Sequence, residues 1–418
     1  MKVCVLGAGV AGMTSAYFLS SAGHDVTVVE RNSGVGLETS YANGGQLSYS
    51  YVAPLAGPGV LPKVPPWLLK RDAPLRFSPR LDFFQWRFCL QFVLACTAAQ
   101  SELTTSRLLR LSFYSRRLMH EMVATAPLDF DYVRNGKLVF YSDEKAFRGA
   151  VATMGYQQSL GCEQEALDRD GCVALEPALR HVAHEIAGGI YTPSEDAGDC
   201  YHFCTSLERI MRGGPRPVKF ELDTQVTALT RSGARITAVE TNRHPLEADS
   251  YVVTLGAQSV FLLRPIGIDA PIYPLKGYSL TLPIVNTGAN AAPLVSITDH
   301  KRKVVYARLG EELRVAGMAD ITNYRADLDP ARIDVLVRQV KDTFPGSADF
   351  SNMKTWCGLR PATPKGTPVL GRTRYSNLLL NIGHGALGFT LACGCGKIMA
   401  DLVAGRAPEI SLDGFTLA

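Results

Sequence analysis

The chain has 418 residues, of which 46% are hydrophobic and 20% are charged, and its formal net charge is +4 at pH 7. This length exceeds the usual size of one domain, so we expect two domains, and the composition excludes a peptide, a small disulfide-bonded module, a collagen-like chain and a disordered chain. The small surplus of positive charge does not indicate a nucleic-acid partner, and we expect none.

The chain opens with one predicted βαβ unit. An apolar strand over residues 3–6 runs into Gly7-x-Gly9-x-x-Gly12, a helix follows, and a second strand over residues 26–29 ends at Glu30. Glycines at this spacing permit a tight turn, a close approach of the backbone to a pyrophosphate and close helix–strand packing, while the acid accepts hydrogen bonds from a ribose. The unit therefore predicts a dinucleotide-binding domain, and by itself it does not distinguish NAD from FAD.

Two segments with unusual composition follow this unit. Residues 37–48 are small and polar with paired glycines, which suits either backbone contact with a long ligand or a surface loop. Residues 52–100 mix prolines and seven aromatic residues with a basic cluster made of Lys63, Lys70, Arg71, Arg76, Arg80 and Arg87. Interleaved basic and aromatic residues are typical of a membrane-surface patch, and the alternative is an amphipathic helix packed inside the protein.

The middle of the chain predicts helices and antiparallel strands. Helices are expected over residues 102–123, from Asp199 as a cap to residue 211, and over 329–344. Hairpins are expected over 132–141, centred on Asn135-Gly136, and over 225–241, and long antiparallel strands over 272–283 and 304–319. An apolar strand over 251–255 ends at Gly256.

The last part of the chain repeats the glycine pattern of the first. A buried-type strand over residues 378–382 is followed by a glycine-rich turn over 383–388 and a helix over 389–403. A second turn of this kind supplies N–H groups and a positive helix end for another part of the ligand, or it is a simple connection between a strand and a helix. If this second turn binds the ligand, the pattern favours FAD over NAD.

The ten cysteines are scattered and form no C-x-x-C pair, so we expect free thiols in a reducing compartment and no metal site. Lys2 leads directly into a strand, so we expect no secretory leader. The sequence contains no uncharged run of about 18 apolar residues, so we expect no membrane-spanning helix.

Six segments carry a resemblance to a known family. They are GAGVAGMTSAYFLSSAGHDVTVVER, LETSYANGGQLS, APLAGPGVLPK, PIYPLKGYSLTLP, WCGLRPATPKGTPVLGRT and LLLNIGHGALGFTLACGCG. In order and spacing they resemble the D-amino-acid oxidase and glycine oxidase superfamily of flavoenzymes, in the branch of the bacterial D-amino-acid dehydrogenases of the small-subunit type. The resemblance extends over essentially the whole chain.

This resemblance implies an FAD-dependent enzyme. Noncovalent FAD would oxidise a D-amino acid by hydride transfer from Cα to flavin N5, and water would convert the imine to a 2-oxo acid and ammonia. Electrons would pass to a quinone or another acceptor, and the enzyme would be cytoplasmic and peripheral on the inner face of the inner membrane. The alternatives are an oxidase of glycine, sarcosine or hydroxyproline on the same scaffold, a pyridine-nucleotide dehydrogenase, and a noncatalytic dinucleotide-binding protein.

The expected fold combines α/β with α+β architecture, in which a Rossmann-like FAD-binding domain is interleaved with an antiparallel-sheet substrate domain. The FAD-binding domain is expected to comprise residues 1–60, 196–271 and 352–418. The substrate domain is expected to comprise residues 61–195 and 272–351, with a membrane-facing segment over 61–97.

The resemblance also implies site residues. Arg360 matches the arginine that binds the substrate carboxylate in similar oxidases, Tyr278 would add a hydroxyl donor, and Lys276 would lie near the flavin. A surface or ion-paired arginine, a packed tyrosine and a solvated lysine are the alternatives. His384 is expected to contact the flavin through its backbone or to shape its loop, rather than to carry a proton. The expected cofactor-binding residues are Val3, Leu6, Gly7, Ala8, Gly9, Val10, Ala11, Gly12, Glu30, Arg31, Ser40, Asn43, Gly45, Gln46, Val226, Gly256, Gly358, Gly383, His384, Gly385, Leu387, Gly388 and Thr390.

Overall fold

The structure is a computed structural model that describes residues 1–61, 73–286 and 291–417. Lys63, Lys70 and Arg71 of the basic cluster lie outside the described residues. The helices of the described part are α1 (Val10–Ser21), α2 (Phe83–Ala95), α3 (Ala98–Thr125), α4 (Glu144–Ser159), α5 (Arg169–Leu175), α6 (Cys200–Gly213), α7 (Ser259–Leu263), α8 (Pro330–Thr343) and α9 (Gly388–Val403).

The strands of the described part are β1 (Lys2–Leu6), β2 (Asp25–Val29), β3 (Gln46–Leu47), β4 (Leu75–Phe77), β5 (Lys137–Tyr141), β6 (Glu165–Leu167), β7 (Gly188–Thr192), β8 (Asp196–Ala197), β9 (Lys219–Glu221), β10 (Val226–Ser232), β11 (Arg235–Thr241), β12 (Ser250–Val253), β13 (Tyr273–Pro283), β14 (Ser296–Asp299), β15 (Val304–Leu309), β16 (Glu312–Ile321), β17 (Lys354–Ala362), β18 (Val369–Arg372) and β19 (Leu378–Ile382).

The first sheet is the Rossmann-like layer. Its strand order is β18-β19-β12-β1-β2-β9, and every pair is parallel except β18 with β19. The central strands β12 and β19 are buried along their whole length, as expected for a parallel sheet covered on both faces. The carboxyl ends of β1 and β19 therefore lie on one edge, where the two glycine turns begin.

The second sheet contains most of the antiparallel strands. Its main path is β17-β13-β16-β15-β14-β5-β7-β6, and β4 pairs with β16. Most pairs are antiparallel, while β14 with β5 and β16 with β4 are parallel. Helix α8 packs on one face of this sheet, so the other face is left for the interior of the molecule. The two sheets confirm the expected combination of a Rossmann-like layer with an antiparallel sheet.

Helices α1 and α9 pack against each other beneath the first sheet. A Cβ at Gly396 would lie 2.6 Å from the carbonyl carbon of Thr14, so the two helix backbones are in contact. The Thr14 hydroxyl donates to the Ala392 carbonyl at 2.9 Å. Among the described residues, one stretch, Gly385–Val403, is long and apolar enough to cross a membrane, but 72% of it is buried inside the fold, as in a core helix.

Two expectations are corrected by the strand pairing. Residues 132–141 do not form a hairpin: Asn135-Gly136 leads into β5, which pairs with β14 and β7 instead of folding back on residues 132–134. Strand β17 was expected in the FAD-binding domain, but it pairs with β13 over nine residues and so belongs to the second sheet. In both cases the pairing partner is distant in sequence, and local patterns do not identify it.

Candidate active site

One cavity of about 820 Å³ connects the two glycine turns. Its wall is formed by the edge of the first sheet, by one face of the second sheet and by the loop that contains residues 38–56. A cavity with this shape can hold one long ligand that reaches both turns.

The first turn is built as the spacing predicted. Gly7 has φ +104°, and a Cβ at Gly12 would lie 1.9 Å from the Gly7 carbonyl oxygen, so neither position accepts a larger residue. Glu30 is buried at the end of β2, where one carboxylate oxygen accepts from the Ala8 amide at 2.9 Å and the other accepts from Asn32. These bonds hold the carboxylate on the cavity wall beside the turn.

The second turn faces the cavity with an open surface. No atom lies within 4 Å of the position that a Cβ would take at Gly385, and the same is true of Gly256 after β12. Neither α1 nor α9 has an acidic residue in its own first turn, so each helix offers a positive end at the cavity. Two such ends suit a ligand with a pyrophosphate and a second electron-rich part, and the residues present fit FAD.

His384 is held as a neutral ring. The Asn381 amide donates to the Ser15 hydroxyl at 2.9 Å, so the Asn381 oxygen is left to accept from His384 Nε2, also at 2.9 Å. Burial lowers the pKa of His384 to about 4. The ring therefore stays uncharged at neutral pH, in agreement with a role in shaping the loop.

The loop after Ser40 crosses the cavity beneath the second sheet. The Val10 amide donates to the Ser40 hydroxyl at 3.0 Å, which ties this loop to the start of α1. The Gln46 amide donates to the carbonyls of Ile297 and Tyr306 at 3.0 and 2.9 Å. Both ends of the loop are thus fixed by hydrogen bonds to neighbouring elements.

Arg360 lies on the cavity face of the second sheet. It is opposite Leu275 in the pairing of β17 with β13, and its guanidinium covers Gly277, where a Cβ would lie 2.4 Å from Nη2. Arg360 Nη1 donates to the Met318 carbonyl at 2.6 Å. Met318 has φ +62° at an irregularity of β16, an uncommon conformation for a residue with a side chain, and it directs this carbonyl at the guanidinium.

Tyr278 and Lys276 have side chains on the opposite face of β13. The Tyr278 hydroxyl donates to Asp320 at 2.9 Å, and burial beside this carboxylate raises the pKa of the tyrosine. Lys276 Nζ donates to the Asp327 carbonyl at 3.1 Å. Because side chains alternate along a strand, neither group shares the face that Arg360 uses. Tyr278 is nevertheless one of the residues that line the cavity, with its hydroxyl engaged by Asp320, whereas Lys276 does not line it.

Most of the expected cofactor-binding residues line the cavity, and five do not. Val3 and Leu6 are packed in the core, while Ala8, Gly12 and Gly383 support the two turns from behind. Those that line it are Gly7, Gly9, Val10, Ala11, Glu30, Arg31, Ser40, Asn43, Gly45, Gln46, Val226, Gly256, Gly358, His384, Gly385, Leu387, Gly388 and Thr390.

Several cavity residues were missed by the sequence analysis. Ser48, Tyr51 and Lys137 form part of the wall, and Phe88 and Phe92 of α2 form another part. A lysine that begins the apolar run Lys137-Leu-Val-Phe-Tyr was a signal available in the sequence, but its burial follows from tertiary packing.

Comparison with known proteins identifies relatives of the whole chain. Residues 2–402 match a family model described as FAD dependent oxidoreductase. The chain is 49% identical to D-amino acid dehydrogenase 2 of Ralstonia nicotianae over the full length of both proteins. It is 47% identical to D-amino acid dehydrogenase 2 of Pseudomonas aeruginosa, over 99% of this chain and 97% of that protein.

Solved structures with the same fold are more distant in sequence. Glycine oxidase from Geobacillus kaustophilus matches with a TM-score of 0.78 at 18% identity, and the match covers 100% of this chain and 98% of that protein. L-proline dehydrogenase from P. horikoshii has a TM-score of 0.76 at 15% identity, over 99% of this chain and 96% of its own. At this identity the likeness establishes the fold alone.

Proposed function

The chain belongs to the family of FAD-dependent oxidoreductases, and from this premise we propose that it converts D-amino acids to 2-oxo acids and ammonia. It is an enzyme, its cofactor is FAD, and the chemistry of its relatives is FAD-dependent amine oxidation. The choice of D-amino acids as substrates is supported by relatives that are named D-amino acid dehydrogenase and are 42–49% identical.

The observation that carries the proposal is the position of Arg360. Its guanidinium lies on the cavity wall, against the sheet at Gly277, with one nitrogen bonded to the Met318 carbonyl. Burial lowers the pKa of this arginine while Asp320 opposes the shift, and an arginine stays charged under such conditions. A fixed guanidinium in a largely apolar cavity suits a carboxylate that must be held in one orientation.

The remaining wall residues would hold the cofactor. Glu30 would accept hydrogen bonds from the ribose of the adenosine, and the starts of α1 and α9 would face the pyrophosphate and the ring system. Bound FAD would supply the oxidising power, by accepting two electrons and the Cα hydrogen of the substrate. The protein would contribute orientation by binding the carboxylate through Arg360 and by excluding water with the apolar wall.

The reaction does not require a side chain of the protein to act as an acid or a base. The amino group must be neutral before the Cα–H bond breaks, and the product is an imine that water hydrolyses to the 2-oxo acid and ammonia. His384 is neutral and bonded to Asn381, so it holds the turn and does not serve as the base in this scheme.

The test is anaerobic mixing of the purified holoenzyme with D- and L-amino acids, together with glycine, sarcosine and hydroxyproline. We expect the flavin absorbance near 450 nm to bleach with D-isomers and to persist with L-isomers. Arg360→Met should retain FAD and bleach with dithionite, but it should bleach with D-amino acids only at much higher concentration. Bleaching by glycine or sarcosine alone, or an Arg360→Met enzyme with unchanged substrate affinity, would contradict the proposal.

We further propose that electrons pass to a quinone-type acceptor and that the enzyme is cytoplasmic and binds the inner face of the inner membrane as a peripheral protein. The support is the surface of α2, where Phe83, Trp86, Leu90 and Leu94 are 51–71% exposed and follow one side of the helix. Exposed apolar side chains in a stripe of this kind are typical of a helix that lies in a membrane interface.

A further inference from the structure

Lys137 is a buried cation in the wall of the cavity. It begins β5 and is only 3% exposed, and its Nζ donates to the Ser48 hydroxyl at 2.7 Å. The same Nζ lies 4.4 Å from the ring centroid of Tyr51. All three residues line the cavity. Lys137 therefore forms part of the cavity wall and is shielded from bulk water.

The charge that balances Lys137 lies behind it. Glu195 is 1% exposed and does not line the cavity, and its carboxylate accepts from the backbone amides of Tyr49 and Ser50. The next residue, Asp196, is held by His120 and by the Tyr132 hydroxyl, at 2.7 and 2.9 Å. Of these two interacting charges, the positive one therefore lines the cavity and the negative one does not.

The cation shares its part of the wall with the start of α9. The Ser48 amide donates to the Thr390 hydroxyl at 3.0 Å, and Thr390 lies in the first turn of α9. Because Ser48 bonds to both Lys137 and Thr390, the ammonium and the positive end of the helix are close neighbours. Two sources of positive potential therefore face one region of the cavity.

Such a pair is costly to bury. Burial lowers the pKa of Lys137 and raises that of Glu195, while the attraction between the two charges opposes both shifts. Two interacting buried charges usually contribute little net stability compared with apolar side chains of the same size. Stability alone therefore does not account for a lysine at this position, whereas an electrostatic effect on the ligand does.

We propose that Lys137 tunes the bound FAD: its ammonium stabilises the negative charge that the isoalloxazine ring gains on reduction, and Glu195 limits this effect. The inference deepens the proposed function and rests on FAD being bound, but it does not depend on the identity of the amine substrate. Lys137 is expected to raise the midpoint potential of the cofactor, since a positive charge nearby favours the reduced, anionic form.

The test is the midpoint potential of the holoenzyme, measured anaerobically by equilibration with reference dyes. In Lys137→Met and in the double variant Lys137→Met/Glu195→Gln, the equilibrium constant for reduction should fall by roughly tenfold, about 30 mV for a two-electron couple. Glu195→Gln removes the counter-charge and also the attraction that supports the Lys137 pKa, so at a pH low enough to keep Lys137 protonated its potential should rise. Lys354→Met, which breaks the exposed pair of Lys354 with Glu312, should leave the potential unchanged.

The proposal is tested by the direction in which each single variant shifts the midpoint potential. If Lys137 had a purely structural role, the midpoint potentials of Lys137→Met and Glu195→Gln would shift in the same direction or stay unchanged. Either result would overturn the proposal. If Lys137→Met fails to fold because Glu195 is left buried without a nearby positive charge, the double variant and Glu195→Gln still give opposite expected signs. No D-amino acid is used, so failure of the proposed substrate leaves this result intact.

Discussion

At the scale of single residues, the clearest feature is how much of the local structure serves Arg360. Gly277 leaves room for the guanidinium, and Met318 adopts a left-handed conformation that directs its carbonyl at the same group. A residue with a side chain in this conformation costs of the order of 1 kcal/mol. The irregularity of the second sheet at Met318 thus helps to fix the guanidinium of Arg360 on the cavity wall.

Gly277→Ala should therefore impair substrate binding more than folding. The new Cβ would occupy the space of Arg360 Nη2 and displace the guanidinium, so we expect KM for the D-amino acid to rise by roughly 10- to 100-fold while FAD content is retained. Steady-state kinetics and the flavin absorbance of the purified protein measure the two effects. Gly149→Ala on α4, where the added methyl meets no neighbour within 4 Å, is the control. Equal kinetics for both variants would contradict the placement of Arg360.

The sequence identified residues whose role depends on local spacing and missed those that depend on tertiary contacts. Glu30 follows from its distance to the glycine turn, and Asp199 caps α6 as expected, accepting from two amides of its first turn. Arg360 entered through the resemblance. Lys137 and Glu195 are 58 residues apart and meet only because β5 lies beside the chain segment that follows β7. No local pattern predicts that pair.

At the scale of elements, α2 has apolar residues on both of its sides. Phe88 and Phe92 line the cavity, while Trp86, Leu90 and Leu94 are exposed. Arg80, which lies just before α2 in the chain, is exposed, and Arg87 of α2 pairs with Asp269. The helix thus separates the cavity from an apolar surface next to basic residues, an arrangement that suits an acceptor arriving from a lipid phase.

Leu90→Gln/Leu94→Gln should weaken membrane binding without loss of catalysis. Each leucine fully buried in lipid contributes about 2 kcal/mol, so the partition coefficient onto anionic vesicles should fall by up to roughly a thousandfold. Turnover with a soluble dye as acceptor should be unchanged. The matched control is Leu294→Gln/Val285→Gln, which changes two exposed apolar residues between β13 and β14. If both double variants sediment like the unaltered protein, the α2 surface is not the site of attachment.

The predicted elements were most accurate where the apolar pattern was long. The helices at α3 and α8 and the strands of β13, β15 and β16 lie within a few residues of their expected positions. The hairpin expected over 132–141 was wrong because a glycine after asparagine also suits a turn that leads into a strand with distant partners.

At the scale of the molecule, the cofactor site is assembled from stretches that are far apart in the chain. The strands of the first sheet come from residues 2–29, 219–253 and 369–382, and the second sheet supplies the opposite wall. A ligand that contacts all of these stretches stabilises the native state as a whole, because it binds the folded and not the unfolded chain.

Removal of FAD should therefore lower the stability of both sheets together. With FAD at a hundredfold excess over its Kd, the native state should gain about 2.7 kcal/mol, and the Tm of the apoprotein should rise with the FAD concentration. Thermal scans followed by circular dichroism across a series of FAD concentrations test this. NAD at the same concentrations should have no comparable effect. A Tm that ignores FAD would be inconsistent with a cavity that spans both glycine turns.

The contact between α1 and α9 also constrains biosynthesis. As the nascent polypeptide leaves the ribosome, β1, α1 and β2 emerge some 350 residues before β19 and α9, a delay of roughly 20 to 70 seconds at about 5–20 residues per second. During that interval the surface of α1 that will contact Gly396 remains uncovered, and the edge of β1 stays unpaired until β12 has been made. The flavin cannot help this early intermediate, since its second anchoring turn has not yet been translated. Chaperones that shield the first unit should therefore act before FAD can contribute to the stability of the finished chain.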